Sequence, residues 1–495
     1  MAPLATTSTI VSLISVVSAL NNGLARTPQM GWNNWNALGC DVSEALLLDT
    51  SRKLVDLGLR DLGYNYVVLD DCWSGGRDED GFQYEDRTKF PSGMKAVSAA
   101  IHDMGMLFGM YGTAGEMTCA RYPGSLDWEE NDAKSFAAWG VNYLKYDNCY
   151  SMDRHGSPKV SFDRFDTMRK ALNTTGRPMV YSLCNWGEDY VYSWGVSIAN
   201  SWRMSGDIYD SFSRPDVLCS CEDPSNPLCT SWGTHCSVLN ILNKVAAYAD
   251  RAQPGGWNDL DMLEVGQGGM TDDEYKAHFT MWALVKSPLL IGTDLRKLSA
   301  SALTILNNPA IIAVSQDPAA RSALRVAIDY DVKKDKYGVG ETQVWSGWLA
   351  NGDQVVVFLN AADEDRQMKI DLEEVFVRDG PGGSAEQVQH EWQIYDLWAN
   401  RMSDDVAEGL LDASEKKDGD KAANLFEITK WYNSTELPYK EGLLKDDERL
   451  FGKHIGSVKA RGVIEAKVPR HGVVAYRLRT KAPGLKRYSM TKDEL

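Results

Sequence analysis

The stretch Val141-Asn142-Tyr143-Leu144-Lys145-Tyr146-Asp147 is short, largely apolar, rich in strand-favouring residues, and closes on a carboxylate. Its length and bounded ends read as a buried strand, not a helix. Seven further runs of the same kind stand at 30–33, 64–71, 107–113, 178–184, 201–207, 255–263 and 288–295. Between them lie amphipathic segments, among them 43–62, 128–139, 162–173, 238–251 and 272–286. Eight strand and helix alternations predict an α/β fold, a (β/α)8 TIM barrel over residues 26–321. A doubly wound open sheet would use the same alternation, but no GxGxxG follows the first run to support it.

After Pro318 the pattern changes to alternating strands without helices, at 342–349, 354–360, 367–372, 391–397, 463–468 and 472–479. This predicts a smaller antiparallel β-sandwich domain over 322–481. A chain of 495 residues is long enough for two such cores. Residues 402–422 and 437–453 are charge-dense and poorly periodic, and are expected to be exposed insertions.

In a (β/α)8 barrel the active site lies at the C-terminal ends of the strands. Several runs here end in acids: Asp70-Asp71, Asp147, Asp207, and Asp259 with Asp261. One such acid is commonly a helix cap. Four groups around one mouth make an anionic cup. Two carboxyl groups flanking a bond are the usual equipment for glycosidic cleavage. Asp147 and Asp207, at the ends of the fourth and sixth runs, could converge across the mouth. Lys145 lies two residues before Asp147, on the same strand face, and is expected to hold that carboxylate ionised. Arg203 lies four before Asp207, whose proton affinity is expected to be raised by burial against Trp186 or Trp202. The 16 Trp and 21 Tyr suit sugar binding, although most such rings fill cores. Metal coordination by Asp70-Asp71 is a weaker reading, because no His stands nearby.

The net charge of −17 argues against nucleic acid as a partner. Residues 1–25 read as a secretory signal peptide, with an apolar run from Ile10 to Leu20 and cleavage after Ala19 or Ala25. Neither that run nor any other reaches the roughly 20 apolar residues of a membrane span. Residues 482–495 form a tail ending in Lys-Asp-Glu-Leu, the address read by the endoplasmic-reticulum retrieval receptor. The expected location is the secretory pathway, in the reticulum lumen or beyond it. Asn173 and Asn433 open glycosylation sequons. Nine cysteines suit an oxidising compartment. Cys219, Cys221, Cys229 and Cys236 suggest local disulfides; their spacing does not match a zinc site.

Several longer motifs carry a family resemblance. They are Leu24-Ala-Arg-Thr-Pro-Gln-Met-Gly-Trp-Asn-Asn-Trp-Asn36, Asp70-Asp-Cys-Trp73, Lys145-Tyr-Asp-Asn-Cys149, Trp202-Arg-Met-Ser-Gly-Asp207, Gly256-Trp-Asn-Asp-Leu-Asp-Met262 and Val468-Pro-Arg-His-Gly-Val-Val-Ala-Tyr-Arg477. In this order they resemble glycoside hydrolase family 27. The resemblance implies a retaining, cofactor-free and metal-free hydrolysis of α-galactosides, whether oligosaccharides or glycoconjugates. It implies Asp147 as nucleophile and Asp207 as acid/base, with their carboxyls about 5–5.5 Å apart. It assigns Trp32 as a stacking wall, Asp70 and Asp71 to the 4- and 6-hydroxyls, Lys145 to the 3- and 4-hydroxyls, and Arg203 near the 2-hydroxyl. Tyr111 and Met262 match further pocket positions. The resemblance also implies the disulfides Cys40–Cys72 and Cys119–Cys149, and leaves Cys184 as a free thiol that lies, with Trp186, around the 2-hydroxyl. Bulk at Cys184 and Trp186 favours galactose over N-acetylgalactosamine, so α-N-acetylgalactosaminidase is the alternative activity. A non-catalytic lectin-like protein of the reticulum would be expected to lack one of the two acids.

Overall fold

A computed structural model describes residues 22–214, 219, 236–376 and 385–480. Most of the signal segment, the Lys-Asp-Glu-Leu tail, Cys221 and Cys229 lie outside the described residues. Eight strands follow one another around a closed parallel sheet. They are β1 (Met30–Asn33), β2 (Tyr66–Val68), β3 (Leu107–Thr113), β4 (Tyr143–Asp147), β5 (Val180–Cys184), β6 (Ser201–Arg203), β7 (Trp257–Asp259) and β8 (Leu289–Ile291). β8 pairs with β1 in the register Met30 with Leu289, and a bridge from Leu263 to Ile291 joins the β7 side to β8. The outer helices are α1 (Glu44–Asp56), α2 (Met94–Asp103), α3 (Glu129–Trp139), α4 (Pro158–Thr174), α5 (Val238–Val245), α6 (Asp272–Leu284), α7 (Ala300–Leu306) and α8 (Pro309–Ser315).

Strand parity sorts the side chains. Val68, Tyr143, Val180, Met262 and Leu290 meet in one cluster at the barrel axis. On β4, Lys145 and Asp147 share the face of Tyr143, whereas Tyr146 turns outward onto Phe165 of α4, ring centroids 5.9 Å apart. The same alternation sends Arg203 inward and Trp202 outward, where its indole N–H donates to Asn258 Oδ1 at 2.9 Å.

The second domain contains β9 (Leu324–Asp329), β10 (Thr342–Trp348), β11 (Gln354–Asn360), β12 (Arg366–Asp371), β13 (Trp392–Asp396), β14 (Lys453–Val458), β15 (Val463–Val468) and β16 (Val473–Arg479). Six form an antiparallel sheet in the order β9-β10-β11-β16-β13-β14, and β12 with β15 forms the facing pair. Val356, Phe358, Ile370, Trp392, Ile464 and Leu478 pack between them.

Residues 402–422 and 437–453 are not irregular surface insertions as expected. They supply α9 (Asp404–Lys416), part of α10 (Gly419–Ile428), and α11 (Tyr439–Leu444), and the run Lys453–Val458 is a strand. Ala407, Leu410 and Ala413 of α9 are buried with the barrel helices, and Lys53 of α1 pairs with Glu415. The helix is amphipathic, but its apolar stripe is short, built of Ala407, Leu410, Leu411 and Ala413.

The domains are joined by polar contacts close to the barrel mouth. His471 Nδ1 lies 2.7 Å from Glu274 Oε1 of α6, and its ring stacks on Phe212 at 5.0 Å. Ser213 donates to Asp335. Behind them Arg477, fully buried on β16, reaches Asp353 at 2.7 Å and Asp317 at 3.7 Å. No described helix is long and apolar enough to cross a membrane.

Candidate active site

The floor of the mouth is an array of acids, each held by a different partner. Asp70 Oδ2 accepts from Lys145 Nζ and from Asn33 Nδ2, both at 2.7 Å. Asp71 accepts backbone N–H groups of Cys72 at 2.6 Å and Ala120 at 2.8 Å. Both disulfides implied by the resemblance are formed. Cys40–Cys72 fixes the residue after Asp71, and Cys119–Cys149 places Ala120 against Asp71 and Cys119 Sγ 3.3 Å from Asp147. Cys219 pairs with Cys236, and Cys184 is a buried free thiol.

Asp147 accepts the Tyr111 hydroxyl at 2.8 Å and the Asn148 N–H at 2.9 Å. Lys145 does not bond it. The ammonium sits on Asp70 instead, because Asn33 and the β2 end bring that carboxylate to its tip. Burial pushes the Asp147 carboxyl up to about 6; Lys145 pulls the other way, and Asp207 adds to the rise. The expected ionising effect of Lys145 is thus real in sign but outweighed by desolvation.

Asp207 is reached by Arg203 Nη2 at 3.0 Å, and the same atom lies 2.7 Å from Asp261 Oδ2. The guanidinium also contacts Cys184 Sγ at 3.5 Å, and its Nε is buried without a hydrogen-bond partner. The expected burial of Asp207 is not found: its side chain is 45 % exposed. Trp202 cannot cover it, because the parity of β6 faces that ring away from the mouth. Trp186, half-buried with a left-handed φ of 57°, follows Cys184 at the end of β5.

Trp32 is also corrected. It pairs in register with Val67 and Ile291, lies in the layer between barrel and helices, and donates its indole N–H to Thr293 O at 2.9 Å. A strand whose Asn33 reaches inward to Asp70 must turn Trp32 outward. The ring at the mouth is Trp35, two positions beyond Asn33, which packs on the axial cluster containing Met262. Counting alternate residues from Gly31 would have found it. Asp261, one of the strand-end acids of the expected cup, holds Arg203, a role its position in the sequence does not reveal, and Glu264 is not signalled by the sequence pattern at all.

Trp35, Asp207, Tyr209, Asp210, Glu264 and Gln267 line a cleft of about 390 Å³ beside Asp207. A larger cleft of about 740 Å³, lined by Ser43, Arg52, Lys89 and Arg296 among others, includes none of the catalytic candidates.

Residues 27–317 match the family description "Alpha galactosidase A", and residues 339–415 match "Alpha galactosidase C-terminal beta sandwich domain". The chain belongs to the α-galactosidases of glycoside hydrolase family 27. It is similar to an α-galactosidase of Zygotorulaspora mrakii, 51 % identical over 476 residues, 96 % of this chain and 98 % of the other. A solved α-galactosidase of Saccharomyces cerevisiae superposes with a TM-score of 0.86 at 50 % identity, covering 93 % of this chain and 99 % of that one. α-Galactosidase I of Mortierella vinacea gives 0.74 at 39 % identity, with 92 % and 98 % covered. In this α-galactosidase, as in the sequence motifs, the conspicuous acids stand at strand ends, and the barrel and β-sandwich are the expected pair of domains.

Proposed function

We propose that this chain hydrolyses terminal, non-reducing α-D-galactose from α-galactosides by double displacement with retention. What supports the reading is the different settings of two acids near enough for Asp207 to raise the proton affinity of Asp147: Asp147 is buried on Tyr111, and Asp207 is half-exposed on Arg203. Asp207 protonates the leaving oxygen as Asp147 attacks C1, and Asp207 then takes a proton from the water that releases galactose. Asp207 raises the proton affinity of Asp147, and the competent enzyme carries one proton on the two carboxyls, held by Asp207. Asp147 must be ionised to attack, and its carboxyl loses its proton as pH rises through about 6.

Lys145 and Asp70 form one polar unit for the 3- and 4-hydroxyls, and Asp71 takes the 6-hydroxyl. A site built around an axial 4-hydroxyl leaves buried polar groups unpaired when the wrong epimer binds, which makes discrimination steep. Trp35 takes over the role of stacking wall. Cys184, against Arg203, and Trp186 close the region of the 2-hydroxyl, so galactose is preferred to N-acetylgalactosamine. A Saccharomyces cerevisiae α-galactosidase has been solved with raffinose, which places α-galactosyl oligosaccharides among the substrates to test.

We assign the enzyme to the secretory pathway, with sugars attached at Asn173 and Asn433 and recognition of the Lys-Asp-Glu-Leu tail by the retrieval receptor. Asn173 is exposed at the end of α4. The decisive test of the chemistry is Asp147→Ala. Turnover of nitrophenyl α-galactoside should vanish, and azide should restore it with β-galactosyl azide as product. Undiminished activity in the variant would remove Asp147 from the role.

A further inference from the structure

The cleft beside Asp207 contains a buried acid that the proposed reaction does not use. Glu264 follows β7, is 3 % exposed, and contributes to the cleft wall together with Trp35 and Tyr209. One of its carboxyl oxygens accepts from Asn36 Nδ2, and its backbone N–H donates to His278 Nε2 at 3.0 Å. Its second oxygen has no hydrogen-bond partner among the described residues. No cation offsets it: the charged groups acting on it are Asp261 and Asp210, and burial keeps His278 neutral, its imidazole pushed down to about 3. Burial, reinforced by these two acids, pushes Glu264 up to about 8. At neutral and acidic pH the side chain is therefore a carboxylic acid with an O–H to give.

Its position says what receives that hydrogen bond. Asp207 delivers its proton to the leaving oxygen, so the leaving group departs along the side of the pocket that Asp207 lines. Tyr209, 52 % exposed, offers a ring on the same cleft. Asp210 is already engaged by the Tyr275 hydroxyl at 3.0 Å and by the Gly269 N–H. A cleft with a flat ring and a neutral hydrogen-bond donor suits a polyhydroxylated leaving group.

We propose that this cleft is the binding site for the leaving sugar, with the Glu264 carboxyl donating a hydrogen bond to one of its hydroxyls and Asn36 holding the carboxyl in place. The proposal rests on the α-galactosidase reading and deepens it. Glu264 is then a specificity residue: it contributes when the leaving group is a sugar and little when it is an aryl group without hydroxyls.

The test compares kcat/KM for melibiose and raffinose with that for nitrophenyl α-galactoside in the wild type, Glu264→Met and Glu264→Gln. Methionine keeps the length and loses the donor. It should lower the ratio of sugar-leaving to aryl-leaving kcat/KM at least tenfold, with inhibition by free galactose changed less than twofold. The glutamine amide can accept from Asn36 and still donate into the cleft, so Glu264→Gln should restore most of the ratio. An unchanged ratio in Glu264→Met, or equal losses on both substrates, would overturn the proposal. So would a ratio in Glu264→Gln as low as in the methionine variant. A wild type inactive on every α-galactoside would instead strike the reading on which the proposal rests.

Discussion

The Tyr111 hydroxyl donates to Asp147 Oδ2 at 2.8 Å, and Lys145 stands 5.5 Å from the centre of the same phenol ring. The bond favours the charged carboxylate in a place where burial opposes it. In Tyr111→Phe the Asp147 carboxyl should keep its proton to higher pH, which blocks attack. A hydrogen bond to a charged group contributes about 1.5–3 kcal/mol, so kcat/KM should fall roughly 10- to 100-fold. The rise of activity on the acidic side should move above its position near 6, because the Tyr111 hydrogen bond that lowers the Asp147 proton affinity is gone. A pH profile of kcat/KM checks both.

Trp32 and Trp35 separate packing from binding. Trp35→Ala should reduce kcat/KM for α-galactosides about tenfold or more while unfolding in urea changes little. Trp32→Ala, which empties a fully buried site, should cost about 3–5 kcal/mol of stability, read from the same urea transition. Reversed results would return Trp32 to the pocket.

His278 makes stability fall in acid. Its folded-state proton affinity is depressed to about 3 from an ordinary 6.5, so only the unfolded chain takes up the proton between those values. Stability is thus complete above about 6.5 and is lost as pH falls below it, by up to about 1.4 kcal/mol per pH unit. His278→Gln keeps an acceptor for the Glu264 N–H and should flatten that slope between pH 6.5 and 4, measured by urea midpoints.

The amino terminus gives a fourth expectation. Asn22 donates to Asn200 Oδ1 at 3.0 Å, and Ala25 O accepts the Trp257 indole N–H at 2.8 Å. Cleavage after Ala25 would remove the first of these contacts and cut at the second; cleavage after Ala19 keeps both. Mass spectrometry of the mature protein should find Leu20 as its first residue.

Much of this was legible because period-two alternation is a local property. The run ending at Asp147 announced a strand, and its parity placed Lys145 and Asp147 on one face. Trp32 was misplaced when a motif was read as a block and the same parity was not applied to it. α9 escaped because two alanines and the adjacent pair Leu410-Leu411 make a short stripe among acids. The partner of Lys145 and the exposure of Asp207 were not legible at all. Each depends on how loops from distant strands meet at the mouth, which no local pattern encodes.

Phe212 and Ser213, a few residues past Asp207, rest on His471 and Asp335 of the second domain. β16, which carries Arg477, is an interior strand of the larger sheet and the last strand among the described residues. A growing polypeptide therefore completes its barrel strands while the support for the Phe212–Ser213 segment beside Asp207 is still unsynthesised. β16 then inserts between β11 and β13, two strands made before it, so the packing beneath that segment is the last part of the described structure to be completed.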